Sequence, residues 1–442
     1  MEPFGIALVG CGTVGGGVAK LLLEHPERLA ARAGRRLELR KVVVRDPHKP
    51  RAVPLPPHLV TTKLDDVLND PSIHAVVEVV GGVDWAKRAV IDLLAAGKHV
   101  VTANKALLAT HGAEVFDAGR RHGRAIAFEA SVAGGIPIIG ALCHGLAANQ
   151  ILSLQGILNG TCNFILTQMT EQGRSYDEVL REAQAKGYAE ADPTMDVDGT
   201  DAAHKLAILV QIAFGVAPPV AKISRRGINA IDAIDIRFAG ELGYTIKLLA
   251  EAWLEPNPSH DEAGGQLAMH VAPVMLRHTS VLAQVRDSFN AIFVAGDAVG
   301  STLYYGRGAG QMPTASAVVA DLIDLAVGRA QQTFETLRLW SGSNRSIQMR
   351  DPDSVVSRFY LRLMVQDRPG AMAEITRLLA DHQISISSVI QHEAVEDSPS
   401  GAIVPLIIMT HACPTGSFLA TLSRFDKLAC VTSPSVYYPV GD

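Results

Sequence analysis

At 442 residues the chain is longer than one ordinary hydrophobic core organises, so two or three domains are expected. The 48% hydrophobic and 19% charged content are those of a soluble globular protein. A net charge of −5 gives no electrostatic case for nucleic-acid or membrane binding, which leaves a small-molecule ligand as the expected partner.

From 4 to 130, short β-rich runs (IALV, LRKVVV, AVVEVV, HVVTA, AIAFEA) alternate with helical stretches at 13–24, 84–96 and 106–122. That alternation predicts βαβ units around a parallel sheet. Gly10-Cys11-Gly12-Thr13-Val14-Gly15 follows the first run and opens a helix, the context a dinucleotide site requires. Gly10 permits the tight turn, Gly12 lets a pyrophosphate approach the backbone, and Gly15 allows close helix packing. After the second run the sequence reads Val44-Arg45-Asp46 with Lys49 close by. An arginine there can stack on adenine and meet a 2′-phosphate, favouring NADP(H), while Asp46 keeps NAD(H) open. "VVTANKALL" places Asn104 and Lys105 at the carboxyl edge of the sheet, where open α/β folds bind ligands. "FEASVAGGIPII" then holds Glu129 at a strand end, before a run of small residues that leaves carbonyls accessible.

Between 131 and 310 the texture becomes that of an α+β domain, with helical segments near 176–186 and 200–214 and β-like pieces "LAMHVAPVML" and "AIFVAG". Glu190, Asp192, Asp196, Asp198 and Asp201 crowd ahead of an apolar helix carrying Lys205. A calcium loop centred on Asp196-x-Asp198-Gly199 fails, because Thr194 would take the first ligand position and Lys205 the twelfth. The remaining readings are a solvated acidic loop capped by Thr200 or Asp201, and an active site. Asp201 and Lys205 are four apart and project from one helix face, and Glu190 and Asp196 lie in the loop leading into it. His204 points about 100° away from Lys205, as a packed or solvated side chain would. Cys162 in "NGTCNF" has no visible His/Asn arrangement of the kind a thioester nucleophile needs.

"GRGAGQMPTASAVVADLIDLAVG" restores a glycine turn and a long helix that could return to close the first domain. A polar linker at 341–354 follows. The segment 358–440 reads strand (FYLRLMVQ), turn (DRPG), helix (AMAEITRLLADH), strand (ISISSVIQ), polar loop, strand (AIVPLIIMT), helix (TGSFLATLSRF) and terminal strand (ACVTSPSVYY), the βαββαβ ferredoxin-like order. The expected domains are therefore 1–130, a Rossmann-type domain completed by about 306–340; 131–305, for substrate, catalysis and dimerisation; and 355–442. The five cysteines, Cys11, Cys143, Cys162, Cys413 and Cys430, form neither a Cys-x-x-Cys pair nor a zinc spacing with histidine, which fits a reducing cytoplasm. The apolar start lacks a basic n-region, and no run reaches the roughly eighteen apolar residues of a membrane span, so neither export nor insertion is expected.

The N-terminal GCGTVG, VTANK, EASVAGGIP, LNGTCNFIL, the long A-x-x-x-G-Y-A-x-x-D-P-x-x-D-V-x-G-x-D-x-x-x-K signature at 183–205 and YYGRGAG at 304–310 together resemble homoserine dehydrogenase. The resemblance covers about the first 340 residues, and no position of the signature departs from the family pattern. "VQDRPGAMAEITRLLADHQISISSVIQ" resembles an ACT domain, an amino-acid-binding module, with Asp367-Arg368-Pro369-Gly370 at its strand-to-helix turn.

The resemblance implies an NAD(P)-dependent oxidoreductase that reduces L-aspartate 4-semialdehyde to L-homoserine, on the route to threonine, methionine and isoleucine. With no aspartate kinase segment it would be the monofunctional form. Such a substrate needs carboxylates for its ammonium group and a cationic acid for its oxygen. By resemblance Glu190 and Asp201 hold the substrate, Asp196 supports the site, Lys205 donates the proton, and Lys105 is a second candidate for proton transfer or for orienting the carbonyl oxygen. The cofactor meets the Gly10, Gly12, Thr13, Val14 and Gly15 loop, Arg45, Lys105, and backbone near Gly187 and in the segment of Gly306 and Gly308. A monovalent cation, Na+ or K+, sits on Glu129 and the carbonyls of Val132, Gly134 and Ile136. A homo-oligomer, dimer or tetramer, with threonine as effector at the ACT domain completes the expectation. A non-catalytic sensor of cofactor and amino acid, the reading from another class, needs neither Lys105 nor Lys205. Another Rossmann reductase of an amino-acid-derived carbonyl is the enzymatic alternative.

Overall fold

The computed structural model describes residues 2–51, 53–256, 265–342, 347–392 and 402–441. Two units interleave along the chain, one gathering Met1–Gly160, Asp201–Ile223 and Ser288–Ile347, the other Thr161–Thr200, Ser224–Asp287 and Gln348–Asp442.

The first unit is built on a six-stranded sheet in the spatial order Val60–Thr61, Leu37–Val43, Phe4–Val9, Ile73–Glu78, His99–Thr102, Ile126–Ala127, every pairing parallel. That is the doubly wound order of a dinucleotide-binding fold. Phe4–Val9 is buried at all six positions. Helices cover both faces of such a strand, so it reads as a continuous apolar run and not as an alternation. The helix Gln311–Ala326 lies against the helix Thr13–Glu24 so closely that a Cβ on Gly17 would stand 2.9 Å from the Ala315 Cβ. The same unit holds an antiparallel trio, Ile151–Ile157, Phe289–Gly296 and Gly300–Arg307.

Differences from the sequence reading have local causes. The run AIAFEA is a strand only over Ile126–Ala127, and Glu129 sits in the single turn Glu129–Ser131, tied down by Ser131 N and Oγ donating to Phe128 O. The small-residue run after Glu129 ends in the short helix Ile138–Gly140 and a π-helical turn, Ala141–Gly145. Neither Thr200 nor Asp201 caps the helix Thr200–Phe214; both are already helical, and Asp198 Oδ1 accepts from Thr200 N at 2.8 Å. The helices Pro26–Ala33, Gly160–Gln172 and Ala233–Glu241 lie where the sequence pattern alone indicates none.

In the second unit, the helix Tyr176–Ala185 opens on a capping box between Ser175 and Glu178. Tyr244–Pro256 and Gly265–Arg277 form a long antiparallel pair. The C-terminal strands lie in the order Val436–Gly441, Val356–Gln366, Ile403–Thr410, Ile386–Gln391, with the helices Ala371–Asp381 and Thr415–Phe425 packed on them, the ferredoxin-like arrangement. The last strand begins at Val436, later than the sequence suggests, because Asp426 Oδ1 takes hydrogen bonds from both Ser435 N and Oγ and holds the preceding segment as a loop. Of the polar loop after Gln391, residues 393–401 lie outside the described residues, as do 343–346 of the linker.

Strand Val356–Gln366 shows why this module is not an independent bead beyond a linker. Phe359, Leu361, Leu363 and Val365 alternate into a core with Ile375, Leu379, Phe418 and Phe425. On the opposite face Arg362 clamps the fully buried Asp235 at 2.7 and 2.9 Å, and Tyr360 and Tyr438 donate to the same carboxylate at 3.0 and 3.3 Å. Asp235 belongs to the helix Ala233–Glu241, so the C-terminal module and residues 224–287 share one unit. Among the described residues no helix is long and apolar enough to cross a membrane.

Candidate functional site

The carboxyl ends of the neighbouring parallel strands Phe4–Val9, Ile73–Glu78 and His99–Thr102 lie on one edge of the sheet. The first leads into the glycine-rich loop. Gly10 has φ +102°, and a Cβ there would stand 2.9 Å from Val79 O; one on Gly15 would stand 2.3 Å from Gly10 O. A Cβ on Gly12 would meet nothing within 4 Å, so open space lies above the start of the helix that Thr13 and Val14 begin. Crowding behind the loop and space in front of it fit a pyrophosphate at a helix N-terminus.

Arg45 and Asp46 are exposed just past the strand Leu37–Val43. Asp46 Oδ1 accepts from His48 N at 2.8 Å. A residue the sequence reading missed, Arg51, folds back to donate to the carbonyls of Asp46, Pro47 and Lys49 at 2.5, 3.1 and 2.9 Å. Burial pushes the Cys11 thiol up, against the opposing pull of that guanidinium. The signal for Arg51 was its place at the end of the turn-rich "RDPHKPR", six residues from Arg45.

The third strand end presents Asn104 and Lys105. Asn104 caps the helix Lys105–His122, its Oδ1 accepting from Leu107 N at 3.1 Å, while its Nδ2 donates to Gly82 O at 2.7 Å. Such a cap contributes about 1 kcal/mol and fixes the direction in which the first helical residue leaves the strand.

Lys105 Nζ lies 3.1 Å from Asp201 Oδ1. From the helix Thr200–Phe214, Lys205 Nζ donates to Asp201 Oδ2 at 2.8 Å and to Leu158 O at 2.7 Å, and Asn159 Nδ2 donates to Asp201 Oδ2 at 2.9 Å. Leu158 and Asn159 follow the strand Ile151–Ile157, so elements from three parts of the chain meet on one carboxylate. Burial alone would raise the Asp201 pKa. The ammonium groups of Lys205 and Lys105, with the bonds from Lys205 and Asn159, outweigh it and hold the carboxyl well below the usual range. The Lys205 side chain is 12% exposed and that of Lys105 37%, which makes Lys205 the anchored and Lys105 the more accessible cation. Asn159 was legible only as part of the LNGT motif; nothing in its spacing pointed to Asp201.

The Glu129 region forms a separate cluster in the same unit. Its carboxylate accepts from Ile139 N at 2.9 Å and Gly140 N at 2.7 Å, and its own N–H donates to Asp321 Oδ2 at 2.9 Å. Burial pushes both carboxyls up, that of Asp321 furthest, with Glu129 adding to it. Gly134 N and Gly135 N donate to Gly308 O and Arg307 O, which joins the 132–136 run to the segment of Gly306 and Gly308, while Ile136 O accepts from Ile138 N. Gly308 itself is required by packing, since a Cβ would fall 2.2 Å from the Asn290 side chain. Among the described residues no group of three or more His, Cys, Asp or Glu side chains is arranged to hold a metal ion.

Gly187, Glu190 and Asp196 belong to the second unit. Gly187 ends the turn after the helix Tyr176–Ala185 with φ +73°, Glu190 is exposed, and Asp196 is half-buried in the short helix Thr194–Val197. Cys162 is fully buried and its thiol donates to Asp196 O at 3.2 Å, a structural tie to the acidic loop and not an accessible nucleophile.

Three family models match this chain: homoserine dehydrogenase, NAD binding domain, over residues 10–129; homoserine dehydrogenase over 137–323; and ACT domain over 359–430. The homoserine dehydrogenase of Pseudomonas aeruginosa is 42% identical, covering 99% of this chain and 98% of that protein. That of Bacillus subtilis is 38% identical over 100% of this chain and 99% of its own length. The crystal structure of a homoserine dehydrogenase from Thiobacillus denitrificans superposes with a TM-score of 0.90 at 41% identity, covering 100% of this chain and 99% of that one. A hyperthermophilic archaeal homoserine dehydrogenase in complex with NADPH superposes with a TM-score of 0.58 at 25% identity, over 73% of this chain and 97% of that one. End-to-end similarity, a doubly wound sheet with a phosphate-ready loop, and two lysines gathered on one aspartate at its carboxyl edge agree: the chain belongs to the homoserine dehydrogenase family, oxidoreductases with an NAD-binding domain, and carries a C-terminal ACT domain.

Proposed function

We propose that the chain reduces L-aspartate 4-semialdehyde to L-homoserine with NADPH in preference to NADH, within threonine, methionine and isoleucine biosynthesis. The observation that carries this reading is the Lys105–Asp201–Lys205 cluster beside the carboxyl edge of the dinucleotide-binding sheet. The Gly10–Gly15 loop would hold the cofactor, which when bound would supply the hydride. Lys205, oriented by Asp201 and Leu158 O, gives its proton to the aldehyde oxygen as alkoxide charge develops, which requires a donor about 3 Å from that oxygen. Lys105 orients the carbonyl oxygen and adds positive charge, and Asp201 fixes both ammonium groups. Glu190 takes the substrate ammonium, with Asp196 in support; their motif positions favour those roles.

Arg45 is assigned to the 2′-phosphate, and Gly187, Gly306 and Gly308 to backbone around the cofactor. A monovalent cation is assigned to Glu129 and the carbonyls of Val132, Gly134 and Ile136. The support is electrostatic: Glu129 and Asp321 are half-buried acidic residues joined by the hydrogen bond from Glu129 N to Asp321 Oδ2, and a cation would compensate carboxylate charge there. Threonine is assigned to the ACT domain as effector, and the working form is a cytoplasmic homo-oligomer, dimer or tetramer.

The test is homoserine-dependent reduction of NADP and NAD by the purified chain, followed at 340 nm. Turnover with homoserine and a higher kcat/KM for NADP supports the reading; no turnover with homoserine, or a clear preference for NAD, overturns its substrate or its cofactor half respectively.

A further inference from the structure

One polar residue interrupts the apolar run AVVEVV of the central strand Ile73–Glu78, and it is wholly buried. Glu78 Oε2 accepts from Thr102 Oγ1 at 2.7 Å and Oε1 from Val80 N at 3.0 Å. Glu78 and Thr102 are register partners on adjacent parallel strands, so their side chains leave the same face of the sheet. Desolvating a carboxyl group is costly, and an aliphatic residue at this position would cost nothing of the kind. What the carboxylate supplies in return is a connection between two loops. Thr102 Oγ1 accepts from Asn104 N at 3.0 Å, and Asn104 in turn binds Gly82 O and caps the helix that Lys105 begins.

We propose that Glu78 is a positioning residue for the reaction: through Thr102 and Asn104 it fixes the strand-to-helix corner from which Lys105 reaches Asp201, and it holds the Gly81–Gly82 turn beside it. The inference rests on Lys105 being part of the active site, as proposed above. Glu78 does not touch the substrate; it acts by keeping the Lys105 ammonium within hydrogen-bonding distance of Asp201, where a misplacement of about 1 Å can reduce rate on the order of 10²-fold. No covalent or proton-transfer step is assigned to it.

The experiment is a double-mutant cycle on kcat for homoserine oxidation at saturating cofactor, using Glu78→Gln, Lys105→Ala and the pair in the full-length chain. Expected are a fall of about tenfold or more for Glu78→Gln alone and less than about twofold for the same change in the Lys105→Ala background. Independent, multiplying losses would overturn the proposal, as would unchanged kcat in Glu78→Gln with Lys105→Ala impaired. Normal kcat in Lys105→Ala would remove both the proposal and the assigned role of Lys105, and is distinguished by that single variant. Should Glu78→Gln fail to fold, Thr102→Val breaks the same chain of bonds with little change of volume. It should reproduce the non-additive loss, and Thr102→Ser, which returns the hydroxyl, should recover most of it; a Thr102→Val loss that Thr102→Ser does not relieve, or that multiplies with Lys105→Ala, counts against the proposal.

Discussion

Lys105 and Lys205 are held to opposite oxygens of one buried carboxylate, Lys105 at 3.1 Å from Asp201 Oδ1 and Lys205 at 2.8 Å from Asp201 Oδ2. Two ammonium groups this close repel each other unless an anion lies between them. The arrangement concentrates donors at one point, and it divides their freedom unequally. Lys205 is also bound to Leu158 O and is nearly enclosed, so removing it removes a pre-oriented donor. Lys205→Ala is expected to lower kcat on the order of 10² or more, with cofactor affinity by fluorescence titration unchanged. Turnover near normal in the folded variant would exclude Lys205 as proton donor.

Asp201→Asn leaves both cations without their counter-charge. Breaking a fully buried pair costs about 3–5 kcal/mol; because Lys105 is 37% exposed, solvent screening reduces this to roughly 2–3 kcal/mol here. The pH dependence has a definite sign. The folded-state pKa of Asp201 is depressed, so its contribution is present above the ordinary carboxylate pKa of ~3.9 and is lost only as pH falls through the lower folded value. Denaturant titrations of wild type and Asp201→Asn should therefore differ by a constant amount between about pH 5 and 8. A gap that closes near neutrality would mean that Asp201 is not the ionised partner of the lysines.

Part of this site could be read in the sequence because it is helical and local. Asp201 and Lys205 are four apart, and period 3.6 alone puts them on one face. Lys105 reaches the same carboxylate through tertiary packing, which no spacing records, and Asn159 joins it from a strand end in a different part of the chain. Glu78 was hidden for the opposite reason: inside an otherwise apolar run it looks like a tolerated exception, and only burial and partners give it a role. Element limits followed the same rule. The helix Thr415–Phe425 matched because its bounds are set locally, whereas the last strand was displaced by the bonds from Ser435 to Asp426, nine residues back.

Cofactor choice turns on Arg45. Arg51 spends its guanidinium on the carbonyls of Asp46, Pro47 and Lys49 and so shapes the loop beside it. Arg45, exposed directly after the strand, is the group assigned to a 2′-phosphate. Arg45→Ala should raise the KM for NADP by about tenfold, the scale of one charge-assisted contact, and that for NAD by less. An equal rise for both cofactors would reduce Arg45 to a platform for adenine.

Asp321 gives the second pH prediction. Burial and the neighbouring Glu129 raise its folded-state pKa well above the ordinary value. Stability is therefore greatest below the unfolded pKa of ~3.9 and is lost as pH rises toward the raised folded value. Asp321→Asn keeps an oxygen to accept from Glu129 N and carries no charge to desolvate. In buffers free of Na+ and K+ it should melt higher than wild type at pH 7–8, with the difference shrinking toward pH 4. A variant that melts lower throughout would mean that the carboxylate charge is already compensated, contrary to this prediction.

Threonine sensitivity should depend on how the ACT domain is joined to the rest of its unit. Cutting the chain after Gly342 would strip the buried Asp235 of Arg362, Tyr360 and Tyr438, so truncation would test stability more than regulation. A gentler lever is Arg226, whose guanidinium lies 4.0 Å from the centre of the Tyr437 ring on the last ACT strand. Its neighbours press on the acidic loop: Ile228 N donates to Val197 O at 2.8 Å, and a Cβ on Gly227 would fall 2.0 Å from that same oxygen. A shift of the terminal strand therefore reaches the residue beside Asp196 through three consecutive residues, and an effector that favours one strand position would bias that loop. Arg226→Leu keeps an apolar stem over the ring and removes the cation–π attraction, a change of about 1 kcal/mol, or roughly fivefold. Initial rates across a threonine titration should show wild-type turnover without effector and an inhibition midpoint displaced by about that factor. Identical curves would exclude this route, and a wild-type chain indifferent to threonine would exclude threonine as the ligand of the domain.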